Sequence, residues 1–167
     1  AISAQVGAKM SVTSTLSLTA AQAETWNVVV IGAGPVGAFL AGLLASTGQR
    51  VLLIESKKIP REKLCGGCLG QSAQRMLHEA GWDDVLEQLP AARCTTLALH
   101  TARRRLALIV PTIIPINRSE FDAALVRHAV HCGAELLTET TAQLSSIDHS
   151  ADANEFQSVE LKSTHAK

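Results

Sequence analysis

The sequence predicts an α/β domain with a parallel sheet and an antiparallel β insertion, on three observations. Val28-Val29-Val30-Ile31 is an apolar, β-favouring run that enters Gly32-Ala33-Gly34-Pro35-Val36-Gly37 and then a small-residue helical stretch. A second apolar run, Val51-Leu52-Leu53-Ile54, ends on the acid Glu55. Later, a helical segment that opens near Ser119 and stops at Gly133 leads into an apolar stretch over 134–138. A strand-helix-strand rhythm of this kind belongs to parallel sheets.

The first turn has the Gly-x-Gly-x-x-Gly spacing of a dinucleotide site, which makes the unit Rossmann-like. Gly32 lets the chain turn off the strand, Gly34 lets backbone approach a pyrophosphate, and Gly37 lets the next helix pack closely. Pro35 suits the first helical turn. Unpaired N–H groups and the helix dipole there favour phosphate. Glycine-rich turns are common, so the flanks decide the reading. The helix over 38–45 ends near Gly48, and Gly37, Ala41 and Ala45 recur at four-residue steps on one face. Glu55 lies 23 positions after Gly32, the place of a ribose-binding acid. An acid there favours a free 2′-hydroxyl, as in FAD or NAD, over NADP.

After Glu55 a polar stretch leads into the glycine-rich loop Leu64-Cys65-Gly66-Gly67-Cys68-Leu69-Gly70. Helices are expected over 71–80 and 84–89, the latter ending before Pro90. Strands over 95–101 and 106–110 would form the antiparallel insertion across Arg103-Arg104-Arg105, a solvated hairpin tip. Ser119 is placed as the cap of the later helix, with Asp122 adding charge at its start. Residues 140–164 alternate like strands, with a turn at Asp152-Ala153-Asn154.

Hydrophobic residues make up 47% of the 167-residue chain, charged residues 18%, and the net charge is zero. Neither disorder nor a nucleic-acid partner fits those values. Four cysteines are too few and too scattered for a disulfide scaffold, which points to a reducing, cytoplasmic setting. Cys65-Gly66-Gly67-Cys68 formally matches a redox pair or half a zinc site, but nothing completes a metal set. His128 and His131 read as helix-surface residues. Residues 1–24 read as a flexible leader and 25–167 as the domain, with Met10 a candidate start. No run reaches the ~18 apolar residues of a membrane span, so contact with a membrane would be peripheral.

Three segments together resemble the FAD-dependent oxidoreductases of the p-hydroxybenzoate hydroxylase fold, and within them the geranylgeranyl reductase-like group. They are the glycine turn with Glu55, the segment Pro60-Arg61-Glu62-Lys63-Leu64-Cys65-Gly66-Gly67, and Asn117-Arg118-Ser119-Glu120-Phe121-Asp122-Ala123-Ala124-Leu125. The resemblance spans residues 26–165 and implies FAD as cofactor, with NAD(P)H as an external reductant. It places Gly32, Gly34, Pro35, Gly37, Glu55, Arg61, Gly66, Gly67 and Arg118 at the cofactor, and Cys65 at the reacting pocket. It also implies a small or lipid-like substrate. The downstream Gly-Asp flavin motif of that group has no counterpart, so the chain reads as the truncated N-terminal portion of a flavoenzyme. A flavin monooxygenase, a non-catalytic dinucleotide-binding module and an NAD-dependent dehydrogenase are the alternatives.

Overall fold

The computed structural model describes residues 11–89, 92–144 and 158–164. Three strands, β1 (Val28–Ile31), β2 (Val51–Ile54) and β3 (Glu135–Leu137), form a parallel sheet in the order β1-β2-β3. Val28 stands opposite Val51 and Leu52 opposite Glu135, so the run that ends on Glu55 is the central strand. Every residue of β2 is buried, as expected of a parallel strand covered on both faces. Its alternation divides the core: Val51 and Leu53 join one cluster, Leu52 and Ile54 the other.

Helix α1 (Pro35–Ser46) and helix α2 (Arg118–His131) pack on each other over the first face, where Ala38, Ala41, Gly42 and Ala45 of α1 are buried. The small residues permit a close crossing. A Cβ on Gly42 would lie 2.5 Å from the Trp82 ring and 3.0 Å from the Ala129 Cα. Trp82 fills the space beside them, edge-on to Phe39 with ring centroids 5.0 Å apart.

The helix cap is a correction to the sequence reading. Asn117, not Ser119, caps α2: its side chain accepts the Ser119 N–H at 2.9 Å, and Ser119 lies buried inside the first turn. Asn is as good a cap as Ser, and Arg118 already has helical backbone. Helices α3 (Gln71–Glu79) and α4 (Asp83–Glu87) follow the expected pattern within one or two residues.

The antiparallel insertion is present, as β4 (Cys94–His100) and β5 (Arg105–Pro115). The arginine cluster lies at its turn, where the Thr101 N–H donates to the Arg104 carbonyl at 2.8 Å. β5 runs past Val110, where the sequence reading ended it, and through Pro111. The ladder shifts register there, opposite Cys94 and Thr96, and such an irregularity tolerates a residue without N–H. The far end of β5 pairs with β6 (Cys68–Leu69), which glycine content had marked as loop. A final hairpin joins β7 (Thr140–Leu144) to β8 (Val159–Ser163); the expected turn at Asp152-Ala153-Asn154 lies outside the described residues.

Residues 11–24, expected as part of a flexible leader, are built onto the body. Val12 bridges Ile59, and the Thr15 hydroxyl accepts the Leu136 N–H at 2.8 Å along the edge of β3. The short helix α5 (Leu18–Gln22) buries Ala21 in the second core cluster, beside Leu161. Leu16 and Leu18 pack against the same cluster.

Candidate functional site

The glycine turn sits between β1 and α1. Gly32 has φ +104°, a left-handed conformation that glycine adopts freely, and its N–H donates to the Ile54 carbonyl at 2.7 Å. Gly37 is needed for a different reason: a Cβ there would stand 2.0 Å from the Gly32 carbonyl oxygen. At Gly34, which caps α1, an added Cβ would meet nothing within 4 Å. The space is open on the side where an anion would approach. Pro35 opens the helix, and the following N–H groups lack a carbonyl one turn earlier. They face outward with the positive end of the helix dipole.

Glu55 completes this turn. Its backbone continues from the central strand, with its N–H donating to the Leu137 carbonyl at 2.8 Å. Its carboxylate, only 5% exposed, accepts the Ala33 N–H at 3.2 Å. Oε1 accepts the Lys57 N–H at 3.1 Å, and Oε2 also takes an Arg61 guanidinium N–H at 3.0 Å. The sequence placed Glu55 and Arg61 separately; the fold makes them an ion pair beside the glycine turn. A cofactor with a phosphate pair and a vicinal diol fits these groups: open backbone amides at one end, a fixed carboxylate acceptor next to them.

The Cys-Gly-Gly loop reaches the start of α2. Gly67 has φ +63° and its carbonyl accepts the Ile116 N–H at 2.8 Å, which anchors the loop beside Arg118. The Gly67 N–H donates to the Cys65 Sγ at 3.4 Å. That bond, and then a hydrogen bond from Arg118, hold the Cys65 thiol below its ordinary pKa. Gly66 is exposed, with open space where a side chain would be.

Arg118 is itself fixed. Its Nε donates to Asp122 Oδ1 at 2.8 Å and a second nitrogen to Oδ2 at 3.1 Å, a two-pronged fork across one helical turn. The guanidinium pKa is raised, chiefly by Asp122 and then by Cys65. The resemblance assigns Arg118 to the cofactor, and the fold gives it an ion-pair partner as well. The same guanidinium helps to lower the Cys65 thiol pKa. Asp122 is the partner that the sequence reading missed; its four-residue spacing from Arg118 was the available signal.

His128 also departs from expectation. Instead of a bare surface residue, it stacks on Trp82 with ring centroids 4.1 Å apart and meets Asp84 at 3.0 Å through Nδ1. Burial, and then Asp84, push the neighbouring Cys132 thiol up. These groups join α4 to α2. Among the described residues, no group of three or more His, Cys, Asp or Glu side chains could hold a metal ion, and no helix is long and apolar enough to cross a membrane.

An apolar groove of about 170 Å³ opens beside the glycine turn, lined by Pro35, Val36, Phe39, Met76 and Phe121 among others. It is smaller than the ~300–1,000 Å³ usual for a small-molecule site.

The chain is 28% identical over 142 residues to conditioned medium factor receptor 1 of Dictyostelium discoideum, covering 75% of this chain and 27% of that protein. It is 30% identical over 101 residues to squalene monooxygenase of Rattus norvegicus, covering 60% and 18%. Among solved structures, the fold matches the myxobacterial chondrochloren halogenase, an FAD-dependent halogenase, with TM-score 0.69 at 19% identity, over 85% of this chain and 34% of that one. A geranylgeranyl bacteriochlorophyll reductase-like protein of Thermoplasma acidophilum matches with TM-score 0.63 at 23% identity, over 75% and 33%. The chain thus spans about a third or less of each of these four proteins. The model of the FAD binding domain family matches residues 25–163, and the chain belongs to that family.

Proposed function

We propose that this chain is the cofactor-holding part of an FAD-dependent oxidoreductase that reduces a prenyl or similar apolar double bond. The observation that carries the reading is the buried Glu55 carboxylate fixed beside the open backbone at Gly34. In this reading Gly32, Gly34, Pro35 and Gly37 form the pyrophosphate cradle, and Glu55 accepts hydrogen bonds from the adenosine ribose. FAD, when bound, supplies the two-electron chemistry.

Arg61 already occupies one Glu55 oxygen, so the guanidinium orients the carboxylate and balances its charge. Arg118, held by Asp122, presents its remaining N–H groups to the cofactor phosphates. Gly66 and Gly67 allow backbone to pass close to a flat ring, and Cys65 contributes a polar sulfur at the pocket wall. NAD(P)H would act as external reductant. A cytoplasmic protein with peripheral membrane contact suits a lipid-like substrate.

The similarity to the reductase-like fold and the Cys-Gly-Gly loop support reduction; the match to squalene monooxygenase supports a monooxygenase as the second reading. A flavin titration with NAD as competitor tests the cofactor. Retained visible absorbance after ultrafiltration, unaffected by NAD, is the expected result. In the intact enzyme, anaerobic turnover that adds two hydrogens to a prenyl substrate supports the reductase. Product that forms only with oxygen, and carries it, overturns that reading in favour of the monooxygenase.

A further inference from the structure

We propose that Cys65 and Cys68 form a reversible thiol–disulfide pair, with Cys65 the nucleophile toward hydroperoxides and Cys68 the resolving thiol. Both are free and exposed, and the adjoining Leu64 is fully exposed, so an oxidant reaches the loop without an opening step. Two residues separate the cysteines, the spacing at which thiols close a short ring. Both intervening residues are glycines. Gly66 has open space around it, and Gly67 already turns at φ +63°, so the loop can change shape without moving a side chain.

The two sulfurs differ in their surroundings. Cys65 Sγ receives the Gly67 N–H at 3.4 Å, and the Arg118 guanidinium favours its charged form. These donors stabilise a thiolate, the reactive form of the group. Cys68 begins β6, with its backbone paired to Pro115. It therefore stays in place while the Cys65 end of the loop moves.

The reaction balances with one hydroperoxide as oxidant. The Cys65 thiolate attacks the terminal peroxide oxygen, the O–O bond breaks, and the departing alkoxide or hydroxide takes up a proton as Cys65 becomes a sulfenic acid. The Cys68 sulfur then attacks the Cys65 sulfur, the S–S bond forms, and the hydroxyl leaves as water with the Cys68 proton. Two thiols are oxidised by two electrons, and a dithiol reductant reverses the change. The redox pair does not depend on the cofactor assignment made above.

The test is carried out on the protein with and without FAD. Iodoacetamide labelling below neutral pH, read by mass spectrometry, should modify Cys65 several-fold faster than Cys94, an exposed free cysteine of the same chain. One equivalent of hydrogen peroxide should remove two hydrogens from the tryptic peptide 64–75, which holds both thiols, and dithiothreitol should restore them. In Cys68→Ser, dimedone should trap a sulfenic acid on Cys65. Arg118→Gln should narrow the rate difference from Cys94. Labelling of Cys65 no faster than Cys94, or oxidation that yields only intermolecular disulfides, overturns the proposal. Both readouts hold whether or not flavin binds, so failure of the flavin titration leaves them intact.

Discussion

Gly37 lies directly against the carbonyl of Gly32, so close that a single added carbon would stand 2.0 Å from that oxygen. The contact is backbone on backbone and has no side chain to yield. Gly37→Ala should therefore destabilise the fold by about 3 kcal/mol or more, the upper end of the cost of overpacking. Urea unfolding followed by circular dichroism measures it. A change below about 1 kcal/mol would mean that α1 shifts freely off the turn, contrary to the packing described.

Gly34, three residues earlier, should behave in the opposite way. Its added Cβ meets open space, and its extended backbone suits a β-branched residue. Gly34→Val should keep the unfolding midpoint and lose flavin retention. If the folded variant still retains flavin, the cradle assignment fails.

Glu55→Gln keeps an acceptor for the Ala33 N–H but removes the charge facing Arg61. FAD affinity should fall by about 1–3 kcal/mol, the scale of a hydrogen bond to a charged group. Isothermal titration reads the loss. Unchanged affinity would separate Glu55 from the ribose and leave it a structural partner of the turn.

Asp122→Asn should be costly although it touches no cofactor. Asp122 is almost fully buried, and its carboxylate binds the Arg118 fork at 2.8 and 3.1 Å. Removing one partner of a buried pair leaves the other charge uncompensated, at about 3–5 kcal/mol. Arg118 is partly exposed, which puts the expected loss near 3 kcal/mol. Thermal unfolding tests this, and a loss within about 0.5 kcal/mol would show the fork to be incidental.

Much of the fold was legible because its signals are local. The strand before Gly32, the helix after it, the run ending on Glu55 and the arginine-tipped hairpin each follow from a few consecutive residues with a fixed period or turn chemistry. The cap of α2 was misplaced by two residues because Asn117 and Ser119 carry equivalent capping chemistry and only backbone geometry separates them. The packing of residues 11–24 was not legible because a Ser-, Thr- and Ala-rich stretch shows no periodicity of its own; its contacts are with the edge of β3 and with Leu161.

The sequence by itself determined the parallel unit, the three glycines with distinct duties and the acid at the end of the second strand, since each depends on backbone constraints that neighbouring residues impose. Only the tertiary structure decided how the more distant charged and polar groups pair: Arg61 with Glu55, and His128 with Asp84 and Trp82. Long side chains choose partners by distance and burial in the folded chain. Most of these pairs join residues brought together by β2, α4 and α2, and their sequence separations do not specify which of several candidate partners lies within reach.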